Sequence, residues 1–136
     1  MRYAGIVFNK IEAEKFEQKT EGNIQVTSNF NLGKISKEDL GKDAKKPIFS
    51  FEFSYILKYD KVAEISFKGK IYIEIDDKEL IKDLEKENAR VANKDLSKLI
   101  LDVVLARTHV ESLHLEEKLN LPFHIQSPRV TIGTKD

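Results

Sequence analysis

The sequence contains no cysteine and no tryptophan, and only one methionine, three prolines and six glycines in 136 residues. Without cysteine there is no disulfide, no thiolate nucleophile and no cysteine-ligated metal or cluster. No apolar run approaches the roughly 20 residues that a membrane-spanning helix needs, so no membrane insertion is expected. The opening run Met1–Phe8 breaks at Asn9-Lys10. That is too short for the core of a signal peptide, and the expected location is cytoplasmic. Net charge is also lacking, because 23 basic residues balance 23 acidic ones. A neutral field argues against general affinity for nucleic acid or an anionic membrane, since both are held by an excess of positive charge.

What the chain does have is charge, at 34% of residues, and a sustained period of two. Its length fits one domain over residues 1–136. The stretch Pro47–Ile75 reads as one long β-hairpin, with arms Ile48–Tyr59 and Val62–Ile75 hinged at Asp60-Lys61. Phe49, Phe51, Phe53, Tyr55, Leu57 and Tyr59 fall on one face of the first arm. Ala63, Ile65, Phe67, Gly69, Ile71, Ile73 and Ile75 share a face of the second. Lys58, Lys68, Lys70, Glu52, Glu64 and Glu74 lie opposite them. This alternation is that of an antiparallel sheet with one dry face.

Two strands precede the hairpin. The first runs from Tyr3 to about Glu17, with Ile6 and Phe8 on one face and Val7 and Ile11 on the other. Its pattern changes face at Asn9-Lys10, which predicts a bulge. Phe16 is isolated among charges and reads either as a cover for the core edge or as a contact residue. The second strand, Ile24–Ile35, places Ile24, Val26, Ser28, Phe30 and Leu32 against Gln25, Thr27, Asn29 and Asn31. The lysine-rich span from Lys34 to Lys46 has no periodicity and reads as a loop. Its Gly33-Lys34-Ile35-Ser36 lacks the leading glycine of a phosphate-binding loop.

After the hairpin, Asp76 or Asp77 caps a short helix through Glu87, with Leu80, Ile81 and Leu84 at helical spacing. A long helix starts at Asn93 or Asp95 and runs to about Lys118. Leu96, Leu99, Ile100, Val103, Val104, Val110 and Leu113 form its apolar stripe. The apolar content widens to Leu101 and Leu105, more than one sheet needs, and these two are the expected oligomer contact. Pro122 stops helix in Leu119–Ile125, which is an extended apolar segment. The fold class is therefore α+β: a four-stranded antiparallel sheet, a short helix, and a long C-terminal helix packed on one face.

No constellation carries catalysis. His109 and His114 are about 140° apart around a helix, so they do not share a metal. His124 lies beyond a proline. No carboxylate pair sits in an apolar setting that would split its pKa values. Ser50, Ser54 and Ser66 have no histidine in a nucleophile elbow. The aromatics that could stack bases beside Lys58, Lys68 and Lys70 lie on the face that needs burial. No catalytic residue, cofactor or metal is expected.

The order of four strands, short helix and long helix, the Phe49-Ser50-Phe51-Glu52-Phe53 strand, the bulged first strand, the amphipathic Leu96–Glu117 helix and the tail Leu119-Asn120-Leu121-Pro122-Phe123-His124-Ile125 together resemble the SecB family of export chaperones and their SecB-like relatives. The resemblance spans nearly the whole chain in topology, through short, degenerate motifs. It implies a SecB-like fold and an ATP-independent holdase, not an enzyme, that binds unfolded polypeptide in an apolar groove. It also implies a homotetramer built as a dimer of dimers. SecB proteins are usually acidic, which suits a positively charged export motor, whereas this chain is balanced. On this resemblance the client contacts are Phe16, Leu119, Leu121, Pro122, Phe123 and Ile125. Two other classes fit a sheet with a long helix. One is a hot-dog-like acyl-thioester enzyme, whose central helix usually comes early in the chain. The other is a non-enzymatic adaptor or assembly protein.

Overall fold

The computed structural model describes residues 1–16, 24–38 and 46–121. Strands β1 (Arg2–Lys15), β2 (Val26–Glu38), β3 (Ile48–Tyr59) and β4 (Ala63–Glu74) are followed by helices α1 (Lys78–Glu85) and α2 (Lys94–Lys118). The strands form one sheet in the order β1-β4-β3-β2, and every pairing is antiparallel. The expected α+β architecture is present. The hairpin supplies the two central strands, so its period-two face is the dry centre of the molecule.

The hairpin link is longer than expected. Tyr59 pairs with Ala63, so Val62 belongs to a three-residue connection and is itself buried. Asp60 adopts a left-handed φ of 47°, a conformation that a short polar side chain tolerates. Its carboxylate accepts from the Gln25 amide at 2.9 Å, which ties the turn to the start of β2. β2 in turn continues through Lys37 and Glu38, where the sequence predicts loop.

β1 carries the expected bulge between Phe8 and Lys10, and a second between Tyr3 and Gly5. The extra residue at Asn9 resets the face of the strand. Ile11 therefore lies opposite Phe67, on the side of Phe8, and not on the side of Val7 as the unbulged pattern predicts. Gly69 makes this close approach possible. A Cβ there would lie 2.1 Å from the Val7 carbonyl oxygen and 3.0 Å from the Phe53 ring.

Both helices begin with side-chain caps. Asp77 accepts from the amides of Glu79 and Leu80, and Asn93 accepts from the amide of Leu96. The sheet face under them divides into two apolar clusters. One joins Phe49, Phe51, Phe53, Ile71, Ile73 and Ile75 to Leu80 and Leu84 of α1 and to Leu96, Ile100 and Val104 of α2. The other joins Tyr55, Leu57, Tyr59, Ala63, Ile65 and Phe67 to Leu121.

The buried line of α2 differs from the predicted stripe. It steps by four through Leu96, Ile100, Val104, Thr108, Ser112 and Glu116. Four residues turn a helix by about 400°, so this line winds around the axis by about 40° per step. The winding follows a sheet that twists beneath the helix. It leaves Val110 61% and Leu113 36% exposed, which corrects their assignment to the core. The buried hydroxyls are satisfied within the helix. Thr108 donates to the Val104 carbonyl at 2.8 Å and Ser112 to that of His109 at 3.0 Å. Glu116 accepts a hydrogen bond from the Tyr59 hydroxyl, and both residues are fully buried. Burial, and then the Glu116 carboxylate beside it, push the Tyr59 phenol well above its ordinary value of 10.0.

Two outcomes follow for stability. Gly69→Ala is expected to lower stability by about 3 kcal/mol, because the carbonyl and ring it would strike are held by the sheet; an unchanged urea midpoint would show that β1 can move aside. Tyr59 keeps its proton more tightly when folded than when unfolded. Its contribution is complete below pH 10.0, the unfolded value, and declines as the pH rises above it. Tyr59→Phe should cost about 2 kcal/mol near neutrality by stripping a donor from a buried carboxylate. It should also flatten the alkaline limb of a Tm-against-pH curve.

Candidate functional site

Two regions beside the central sheet have the chemistry to hold an extended chain. The larger is a groove of about 990 Å³ between the bulged part of β2 and the connection from α1 to α2. Leu32, Gly33, Lys34 and Ile35 form one wall, and residues 86–91 form the other. Leu32, Ile35 and Val91 are half-buried side chains packed on the first apolar cluster, so they give the groove an apolar floor. Lys86, Glu87, Asn88 and Arg90 are exposed and make a charged rim. Asn88 turns the wall with a left-handed φ of 57°. The Lys37–Glu85 ion pair, at 2.9 Å, ties β2 to α1. The features that form this groove are the β2 bulge between Leu32 and Ile35 and the polar break after α1. Neither identifies a site until the fold sets them face to face.

The second region is the corner where β1 ends and α2 ends. Phe16 is 54% exposed, and its amide donates to the Val62 carbonyl at 2.6 Å, so the ring is presented from fixed backbone. Glu12, Glu14, Glu64 and Ser66 surround it in a hollow of about 140 Å³. The end of α2 is folded back towards this corner. Leu121 donates from its amide to the Glu116 carbonyl at 2.8 Å, and Asn120 donates to that of Glu117 at 3.3 Å. With Asn120 at φ 52°, these are the two bonds of a Schellman C-cap. Lys15 donates from Nζ to the Leu119 carbonyl at 2.9 Å and joins β1 to the cap.

The structure thus places Phe16, Leu119 and Leu121 at one end of the molecule but on different faces, Phe16 beside the outer-face residues Glu12, Glu14, Glu64 and Ser66 and the two leucines on the helix side. Phe16 is open, Leu119 is half-buried, and Leu121 is 6% exposed within the second apolar cluster. Pro122, Phe123 and Ile125 lie outside the described residues, as does His124. Leu101 and Leu105 are half-buried on α2, and Leu105 also packs on the second cluster. His109 is half-buried and His114 exposed on the same helix. Among the described residues no three His, Cys, Asp or Glu side chains lie together as a metal site requires.

Further exposed apolar surface lies where sequence periodicity does not place it. Leu99, Val103, Ala106, Val110 and Leu113 follow alternating spacings of four and three along α2, the pattern of a helix-pairing seam. The seam is half-buried at Leu99 and Val103 and open from Ala106 onward. Tyr3, Val7, Ile11 and Phe16 expose apolar surface along β1, whose outer edge pairs with no described strand. No described helix is long and apolar enough to cross a membrane.

No protein-family model matches the sequence, and no curated protein matches it. Among solved structures, the chain is similar to the Mycobacterium tuberculosis Rv1957 SecB-like chaperone, which was solved in complex with a ChAD peptide from the Rv1956 HigA1 antitoxin. The TM-score is 0.52 at 13% sequence identity, over 95% of this chain and 92% of that one. At that identity the likeness is one of architecture: the chain has a SecB-like fold.

Proposed function

We propose that this protein is a nucleotide-independent holdase that binds non-native polypeptide and works as a homo-oligomer without catalysis. The observation that carries this reading is the apolar floor of the β2 groove, left open beside a dry sheet. The fold it belongs to is that of a chaperone solved with a bound peptide. Such a groove binds extended chain by burying apolar side chains while its rim stays wet, so it needs no sequence code. Phe16 at the other end offers a second apolar contact. Leu119, Leu121, Pro122, Phe123 and Ile125 are further proposed contacts, in the segment that follows α2. For Leu121 this requires the α2 cap to release, since its side chain fills the core.

The seam of α2 is the proposed helix contact between copies, with Leu101 and Leu105 on its flank. An exposed apolar row at heptad spacing is best covered by a second helix of the same kind. Protein export is one setting for a holdase of this fold, and a cytoplasmic location suits it.

Suppressed aggregation of a chemically unfolded client, without nucleotide and at equimolar chaperone, is the expected result; a monomer that leaves aggregation untouched would overturn the reading. Phe16→Ser should weaken client binding with Tm unchanged, because the ring is exposed. Leu121→Ser should instead cost about 3 kcal/mol of stability, by emptying a core position and burying a hydroxyl. Val110→Asp should lower the mass measured by light scattering while the circular-dichroism spectrum stays the same. An unchanged mass would remove the α2 seam from the assembly.

A further inference from the structure

The face of the sheet turned away from the helices has its own depression, of about 440 Å³, which the holdase reading does not use. It lies at the level where both edge strands bulge, between Phe8 and Lys10 in β1 and between Leu32 and Ile35 in β2. A bulge bends its strand and leaves a residue out of the ladder, so two bulges at one level hollow the face between them. One row of side chains crosses this hollow. Lys10 of β1 pairs with Lys68 of β4, Lys68 with Ser54 of β3, and Ser54 with Asn31 of β2. Glu52 stands beside Gly33 at the β2 end, close enough that a Cβ on Gly33 would lie 3.4 Å from its carboxylate.

The first pair of this row is unfavourable by itself. Like charges directly opposite across two strands repel, and here two ammonium groups are so placed, with Lys70 next along β4 on the same face. Lys10 is relieved by Glu12 at 2.9 Å. Among the described residues Lys68 has no ion-pair partner, whereas Lys70 stands directly opposite Glu52 across β3 and β4. The field of the Lys10–Lys68 pair is felt nearby, since Lys10, and to a lesser degree Lys68, hold the Glu12 carboxyl below its usual range. The rest of the row, Ser54 and Asn31, is neutral.

We propose that this depression binds a short acidic segment of a partner polypeptide, its carboxylate set between Lys10 and Lys68 and its peptide groups facing Ser54, Asn31 and Glu52. The charge order selects the partner. Along β4 the outer face runs from Glu64 through Lys68 and Lys70 to Glu74, and Glu12 and Glu14 flank it on β1. A continuous polyanion, such as a nucleic acid or an anionic bilayer, would extend from the lysines onto these carboxylates and be repelled. A single carboxylate on an otherwise neutral chain can sit at the Lys10–Lys68 end of the row, while Glu52 at the other end accepts from the chain's amide N–H groups. The site is on the opposite face of the sheet from the helices, and it shares only the Leu32–Gly33 border with the apolar groove.

The test uses a peptide with one acidic residue, Gly-Ser-Asn-Glu-Asn-Ser-Gly, carrying a zwitterionic rhodamine label, and its counterpart with Gln in place of Glu, read by anisotropy at low ionic strength against the full chain. The acidic peptide should bind and the neutral one should not. Lys68→Glu should weaken binding about tenfold. Lys98→Glu, an exposed lysine on α2, and Phe16→Ser should leave it unchanged. Lys68→Gln should keep or raise the Tm, because it removes the Lys10–Lys68 repulsion, so lost binding in that variant cannot be laid to unfolding. Equal binding of both peptides, equal loss in Lys98→Glu, a fall in Tm with Lys68→Gln, or tighter binding of a single-stranded oligonucleotide or of phosphatidylserine vesicles would each overturn the proposal. Client protection by Lys68→Glu should equal that of the parent, which separates this site from the holdase reading.

Discussion

A four-stranded sheet spans about 14 Å between the axes of its outer strands, whereas a helix with its side chains is about 10 Å across. One long helix therefore cannot dry the whole of one sheet face. In this molecule α2 and the shorter α1 cover the two central strands, where the residues from Phe49 to Tyr59 and from Ala63 to Ile75 that face the helices are closed to solvent. The two edge strands pay for that economy with surface. Leu32 and Ile35 of β2 stay half-buried beside a groove, and Tyr3 and Ile11 of β1 stay exposed on the helix side. The groove proposed for clients is one of the margins that this difference in width leaves uncovered.

The same constraint shapes α2. To stay on a twisting sheet for 25 residues, its buried line must wind, and in its second half the line passes through Thr108, Ser112 and Glu116. These polar residues are tolerated because each finds a partner: the hydroxyls return to carbonyls of their own helix, and Glu116 takes the Tyr59 hydroxyl. The contact ties the end of the long helix to the end of β3. Beside it the Schellman cap places Leu121 in the core. Stability and the proposed client corner are thus mechanically joined, since freeing Leu121 means loosening the end of α2.

Period-two alternation made the sheet legible because a strand's side chains leave no choice: once one face is dry, the other is wet. The Asn9 bulge was legible for the same reason, as a break in that alternation. The helix caps were visible as polar residues just ahead of apolar periodicity, Asp76 or Asp77 and Asn93 or Asp95, and the structure selects Asp77 and Asn93. The fate of α2's second half was not legible. Val110 and Leu113 fit the apolar stripe as well as Val103 does, and only the path of the helix over the sheet decides which side is down. Leu121 reads alike as a contact residue or as a core residue. Its burial depends on a cap geometry set by Asn120 and on a cavity formed by strands more than 50 residues earlier in the chain.

The sequence by itself determined the dry face of the Pro47–Ile75 hairpin, the α+β class and the positions of the helix starts, because these follow from local sterics and from the spacing of apolar side chains. The tertiary structure decided the rest. It fixed which strands became edges, which turn of α2 faces water, and where Phe16, Leu32 and Lys68 meet their neighbours across the sheet. Those outcomes depend on register, on bulges and on the relative widths of packed layers, which are relations between segments far apart in the chain and belong to no single segment.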